Sequence, residues 1–135
     1  MGEVPDADAG LPSEARLWRR VPPAEQLPPA GDGLPIEPKG SAFRTKGTED
    51  GVSVGVGEYF AARGEGPEAM LAVDGCDNTW GVLEVTVGQV RDIGFEVEVD
   101  ETDPGHALIK PPPSSGKSRK ISKQLAVWVV PPQWP

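Results

Sequence analysis

The sequence predicts an α+β fold, in which a small mixed, mainly antiparallel β-sheet has a C-terminal helix packed on it. A disordered or extended Pro-rich N-terminal arm is expected to precede this unit. Three observations lead to the prediction. A length of 135 residues fits one domain. The 17 glycines, 16 prolines and 37% hydrophobic content exclude a helical bundle or coiled coil. Apolar residues cluster in the second half, where they alternate with polar ones at the period of a strand.

The N-terminal 40 residues are predicted to form the arm, and residues 41–132 the folded domain. Residues 1–16 are polar and rich in small residues, which favours disorder. The segment 17–21 is short and amphipathic, and we expect Trp18 to anchor it on the core or on a partner, because an indole is costly to leave in water. Six prolines between 22 and 40 favour extended or polyproline II chain.

The folded domain is expected to begin with a strand over 52–56, where valine alternates with small residues. One or two short helices are predicted between 58 and 71, with a break near Gly64. Leu83, Val85 and Val87 share one parity and predict the buried face of a second strand. A short helix over 88–93 follows, and Gly94 is a natural C-terminal stop.

The next segment, 95–100, alternates apolar and acidic residues and predicts a strand with one buried and one solvated face. A further strand is expected over 106–109. Ser114 or Ser115 is expected to cap the last helix. Ile121, Leu125 and Trp128 would then form one apolar stripe of that helix. A strand over 125–130 is the alternative, since that run is apolar at both parities.

Charge is distributed unevenly around the net value of −8. Two basic and twelve acidic residues fall between 51 and 103, whereas five basic and no acidic residues fall between 104 and 135. The acidic middle repels phosphates, so a nucleic-acid partner is disfavoured. No apolar run is long enough for a membrane span. The single cysteine, Cys76, excludes an internal disulfide, and a cytoplasmic location is expected.

The one histidine, His106, is the candidate catalytic residue, because its ordinary pKa near neutrality suits a general base. No motif predicts a metal site or a cofactor. The basic residues have two interpretations: a patch for a phosphate-bearing ligand, or pairing with the acidic sheet, which we favour. They are Arg19, Arg20, Arg44, Lys117, Arg119, Lys120 and Lys123.

Two functions are consistent with these features. The first is a non-catalytic accessory or adaptor protein that binds a protein partner through its folded domain and its Pro-rich arm. Its binding residues are expected to be Trp18, Arg19, Arg20, Phe43 and Arg44. The second is a small enzyme or nucleotide-binding domain that uses His106 with Arg19 or Arg20. The oligomeric state is left open.

Several short strings together resemble a widespread group of small, uncharacterised bacterial proteins. They are 17–22 (LWRRVP), 41–44 (SAFR), 85–94 (VTVGQVRDIG), 106–109 (HALI) and 125–132 (LAVWVVPP). The resemblance covers about 17–132 and implies a bacterial, soluble, single-domain protein without implying an activity. A looser resemblance, to ADP-ribosyltransferase-like folds, implies a site with Arg19 or Arg20, Ser53 and His106. The catalytic glutamate of those folds has no clear counterpart in this sequence.

Overall fold

The computed structural model describes residues 11–31, 33–45 and 50–133. Eight strands occur in this part of the chain: β1 (Arg16–Val21), β2 (Gln26–Leu27), β3 (Glu37–Pro38), β4 (Val52–Val56), β5 (Gly81–Thr86), β6 (Glu96–Asp100), β7 (Asp103–Lys110) and β8 (Val127–Val130). The helices are α1 (Gly57–Ala62), α2 (Val87–Asp92) and α3 (Ser115–Lys120), and 3₁₀ turns lie at Pro23–Glu25, Gly40–Phe43 and Pro67–Leu71. A π-helical turn, Ile121–Leu125, extends α3. The predicted α+β class is confirmed.

Six strands form one antiparallel sheet in the order β6-β7-β4-β1-β5-β8. Strand β1 lies inside this sheet, with Leu17 opposite Val56 on one side and Val85 on the other. The segment 17–21 is therefore an interior strand and not part of an arm, although Trp18 does anchor it on the core, one of the two alternatives expected. A boundary after residue 40 leaves this strand outside the domain. Both faces of β1 are covered, so residues of both parities are apolar and the segment lacks the alternation of a one-sided strand.

The inner face of the sheet is the side covered by α2 and α3. Leu17, Val54 and Ile109 point to this face and are at most 2% exposed. Helix α2 contributes Val90 to the same cluster, and the turn after α3 contributes Ile121. The inner face is thus a continuous apolar core, which fixes the register of the strands because a slip of one residue would turn polar side chains into it.

The outer face holds the alternate residues of the same strands. Trp18 packs there against Phe60 of α1, with ring centroids 5.5 Å apart, and its indole N–H donates to Glu84 at 2.9 Å. Met70 and Val82 complete this smaller cluster. Part of the outer face is therefore covered, which explains why Trp18 is buried without a partner protein.

The ends of α2 and α3 follow from local chemistry. Thr86 and Gln89 form a capping box at the start of α2, and Gly94 has a φ of 98° just after its end. Of the two serines proposed as the cap of α3, Ser114 accepts from the Lys117 N–H at 3.2 Å. The helix and the strand proposed for the C-terminus both exist, but in succession. Trp128 consequently lies on β8 and not on a helical stripe.

The Pro-rich segment is held against the fold near both of its ends. Strands β2 and β3 pair with each other, and the indole N–H of Trp128 donates to the carbonyl of Ile36 at 2.8 Å. Gln26 is buried and donates to the carbonyls of Val21 and Thr79. The disorder predicted for residues 1–16 was wrong for 11–16, where Leu11 packs on the core, Ala15 is buried and Arg16 begins β1. Residues 1–10 lie outside the described part of the chain. None of the described helices has the length and apolarity that crossing a membrane requires.

Candidate functional site

Three polar side chains lie side by side on the outer face of adjacent strands. We call Asp100 of β6, His106 of β7 and Ser53 of β4 the polar row. His106 is opposite Gly55 in the register of β4 with β7, so it is a diagonal neighbour of Ser53. The Ser53 Oγ lies 2.6 Å from His106 Nε2, within hydrogen-bonding distance. A hydroxyl and an imidazole are therefore in direct contact at the surface of the sheet.

Asp100 stands on the other side of the imidazole. Its Oδ2 is 3.5 Å from His106 Nδ1, and its Oδ1 accepts from the backbone N–H and the hydroxyl of Thr102 at 2.9 and 2.8 Å. These two Thr102 bonds are the main reason why the pKa of Asp100 is lowered, and His106 adds a smaller effect. An ionised carboxylate beside Nδ1 favours a proton on that nitrogen, which leaves Nε2 free to accept from the Ser53 hydroxyl.

The polar row is open to solvent. The side chains of His106 and Asp100 are 35% and 38% exposed, and Ser53 is half-buried. A small molecule can therefore reach the Ser53 oxygen and the imidazole without a rearrangement of the core. The polar row therefore differs from a buried hydroxyl–imidazole pair, which a substrate could not reach.

Ser53 and His106 line a cleft of about 300 Å³. Its apolar wall is formed by Tyr59 and Phe60 of α1 and by Met70 of the 3₁₀ turn. The floor depends on Gly55, where an added Cβ would overlap Met70 Sδ and lie 3.2 Å from Phe60 Cε2. A larger residue at this position would therefore have to displace the side chain of Met70 or Phe60. The volume is at the lower end of the range for small-molecule sites.

Arg19 braces the strand that holds Ser53. The paired residues of β1 and β4 end at Trp18 and Gly55, and beyond that point Arg19 Nη1 donates to the Ser53 carbonyl at 2.8 Å. Its Nε donates to the carbonyl of Ala42 at 3.0 Å, and its Nη2 to that of Arg44 at 3.3 Å. The guanidinium therefore links β4 to the segment 42–44 through three backbone carbonyls, and we assign it a supporting role at this site.

Of the other predicted binding residues, the arginines lie at the surface and the aromatic residues are buried. Arg20 lines the cleft beside Ser53, and its Nε donates to the carbonyl of Met70. Trp18 is 1% exposed and Phe43 is fully buried in the inner core, so neither presents a surface to a partner. Arg44 is exposed and lines a second depression together with Arg19 and Arg20. The structure thus brings Arg20 beside His106 in the cleft and beside Arg44 in the second depression, and it buries Phe43 away from both.

The basic C-terminal segment makes one ion pair with the acidic strand. Lys110 Nζ lies 2.6 Å from Glu98 Oε1, and this contact raises the pKa of Lys110. Lys123 pairs with Glu37 of the Pro-rich segment at 3.3 Å, and Lys117 donates to the carbonyl of Ile93. Within the part of the chain that the structure describes, no cluster of three or more His, Cys, Asp or Glu side chains is arranged to hold a metal ion.

Sequence reasoning identified His106 and treated Asp100 only as one residue of a solvated acidic face. Ser53 entered through the looser family resemblance alone. All three residues lie at polar positions of predicted strands. The contact between them, however, depends on the strand order β6-β7-β4. No local spacing encodes that order.

No protein-family model, curated protein or solved structure matches this chain significantly.

Proposed function

We propose that the protein is a small esterase in which Ser53 is the nucleophile, His106 the general base and Asp100 the residue that positions the imidazole. The observation that supports this most directly is the 2.6 Å contact between Ser53 Oγ and His106 Nε2 at an open cleft. Asp100 on the opposite side of the ring completes the order carboxylate, imidazole and hydroxyl that defines such sites by role and geometry.

The reaction would proceed in two steps. The Ser53 oxygen attacks the ester carbonyl while its proton moves to His106 Nε2, and the imidazolium then returns that proton to the leaving alcohol. The product of this step is an acyl group on Ser53. Water, deprotonated by the same nitrogen, attacks the acyl carbon, and the acid leaves as Ser53 regains its proton. Asp100 stabilises the imidazolium that forms in both steps, because its carboxylate faces Nδ1.

The test is hydrolysis of 4-nitrophenyl acetate together with covalent labelling by a fluorophosphonate. We expect turnover and one adduct on the peptide that contains Ser53, both lost in Ser53→Ala and in His106→Ala. Ser115→Ala, an exposed serine on α3, is the matched control and keeps both signals. A surface imidazole alone also cleaves activated esters, so turnover that persists in Ser53→Ala contradicts the proposal, as does the absence of labelling in the wild type.

An adaptor role is the second candidate, and exposed leucines in the Pro-rich segment favour it. Leu34 is 54% exposed and Leu27 is 38% exposed, whereas the aromatic residues first expected to bind a partner are buried. The partner surface would then be centred on these leucines.

The adaptor role is tested by quantitative copurification from a bacterial lysate with wild type, Leu34→Asp and Val73→Asp. Val73 is similarly exposed, at 46%, and lies on another segment. A stoichiometric partner lost only in Leu34→Asp supports the adaptor role. Equal recovery from both variants contradicts it.

A further inference from the structure

Arg20 extends the polar row by one strand. The last pair between β1 and β4 is Trp18 with Gly55. Two residues beyond this pair, on the same face of the sheet, come Arg20 on β1 and Ser53 on β4. Both residues line the cleft. Across four adjacent strands the outer face therefore presents, in order, a carboxylate, an imidazole, a hydroxyl and a guanidinium. The proposed nucleophile lies between the imidazole and the guanidinium.

The guanidinium of Arg20 is held in place by one of its own donors. Its Nε donates to the carbonyl of Met70, in the 3₁₀ turn that forms the cleft wall. The Arg20 side chain lines the cleft. Two N–H groups of a guanidinium can donate to the two oxygens of one carboxylate. In Arg19, by contrast, all three guanidinium nitrogens donate to backbone carbonyls.

Charge is distributed along the cleft from one end to the other. The two arginines lie on the β1 side, and Asp103 lies on the β7 side, where its Oδ1 accepts from the Gly105 N–H at 3.2 Å. An anionic group is therefore attracted to the β1 end and repelled from the opposite end. Tyr59, Phe60 and Met70 provide apolar contact between the two ends.

We propose that the substrates are small carboxylic esters that carry a second, anionic group, which binds Arg20 while the ester carbonyl faces Ser53. The inference rests on the proposed esterase function and specifies its substrate class. A cleft of about 300 Å³ has the volume of on the order of ten water molecules, so it fits a compact ester.

The experiment compares 4-acetoxybenzoate with its neutral methyl ester, which have the same acetyl group and the same ring. In wild type, the anionic ester is expected to have the lower KM. Arg20→Gln is expected to raise that KM about tenfold or more, because a charged hydrogen bond is lost, and to change the KM of the methyl ester less than about twofold. Arg20→Lys retains the charge and is expected to restore part of the preference.

Arg119→Gln is the matched control, because it removes the same charge from α3, against the inner face, and should leave both KM values unchanged. Equal effects of Arg20→Gln on the two esters overturn the proposal, provided that the melting temperature shows the variant to be folded. If wild type hydrolyses neither ester, the esterase function fails by itself. Arg20 is then tested by calorimetric binding of 4-hydroxybenzoate and its methyl ester: Arg20-dependent preference for the anion supports the anionic site, and equal affinities reject it.

Discussion

On the inner face of the sheet Leu17, Val54 and Ile109 are withdrawn from water, whereas Ser53 and His106 stay in contact with it on the outer face of the same strands. Val54 follows Ser53 directly in β4, so the two environments alternate residue by residue. The two faces of the sheet therefore have different roles, one in stability and the other in chemistry. Packing constrains one parity of each strand, and the other parity is available for polar chemistry.

The two faces should therefore respond differently to substitution. A change on the inner face is expected to act on the free energy of unfolding, because each side chain there fills space in a closed core. A change in the polar row is expected to act on turnover, because its members are half-exposed and make few apolar contacts. Four substitutions examine this contrast, in order of decreasing effect.

Leu17→Ala is expected to cost about 2–5 kcal/mol of unfolding free energy, because it opens a cavity in a fully buried interior strand. The measurement is urea denaturation of wild type and variant, analysed at a common m-value. Leu34→Ala, which truncates the same side chain at an exposed position, is the control and should change stability by less than about 0.5 kcal/mol. Equal effects at the two positions would show that the inner face is not the stabilising core.

Gly55→Ala tests the position on the outer face where Met70 packs against β4. The new methyl group would overlap Met70 Sδ and lie 3.0 Å from Met70 Cε, so we expect a loss of about 1–3 kcal/mol from overpacking. Met70→Ala in the same chain makes room for the methyl group, and the double variant should then be less destabilised than the sum of the single ones. Strict additivity in this cycle would mean that the close approach of Met70 is unimportant.

Asp100→Asn is expected to lower kcat for 4-nitrophenyl acetate about tenfold while leaving the fold intact. We expect less than in tightly coupled triads, since Asp100 Oδ2 is 3.5 Å from His106 Nδ1. Glu98→Gln is the matched control, because it lies on the same strand and face but pairs with Lys110. A purely structural role for Asp100 predicts altered melting temperature with unchanged kcat, which is the opposite result.

Thr102→Val has the smallest expected effect and tests the pH dependence of Asp100. Its hydroxyl donates to Asp100 Oδ1 and helps to lower the pKa of that carboxyl below its ordinary value of 3.8. A lowered folded-state pKa stabilises the fold above the unfolded value, and the contribution disappears as pH falls through the folded value. Wild type should therefore melt slightly higher than Thr102→Val at neutral pH, and the difference should vanish in strong acid. A difference that grows on acidification would contradict this assignment.

Local patterns in the sequence were enough for several elements. The alternation in 52–56 and 95–100 predicted β4 and β6, because a strand with one buried face repeats every two residues. The short helix before Gly94 and the Ser114 cap were also predicted correctly, since each depends on a few neighbouring residues. The break near Gly64 likewise separates α1 from the following 3₁₀ turn.

The segment 17–21 shows where such patterns fail. Its apolar and basic residues do not alternate, because β1 is covered on both faces and Arg19 satisfies backbone carbonyls at the point where β1 and β4 stop pairing. The chain after residue 125 is similar, since the change from helix to strand there depends on the pairing of β8 with β5. In both segments the decisive partners are distant in sequence.

By itself, then, the sequence determined the α+β class, the parities of the one-sided strands and the helix caps, because these depend on side chains a few residues apart. Only the tertiary structure decided that β6, β7 and β4 are neighbours and that Arg20 and Ser53 line the same cleft. Residues 53, 100 and 106 become one site through strand order. That order is set by the burial of the whole inner face and not by any local signal.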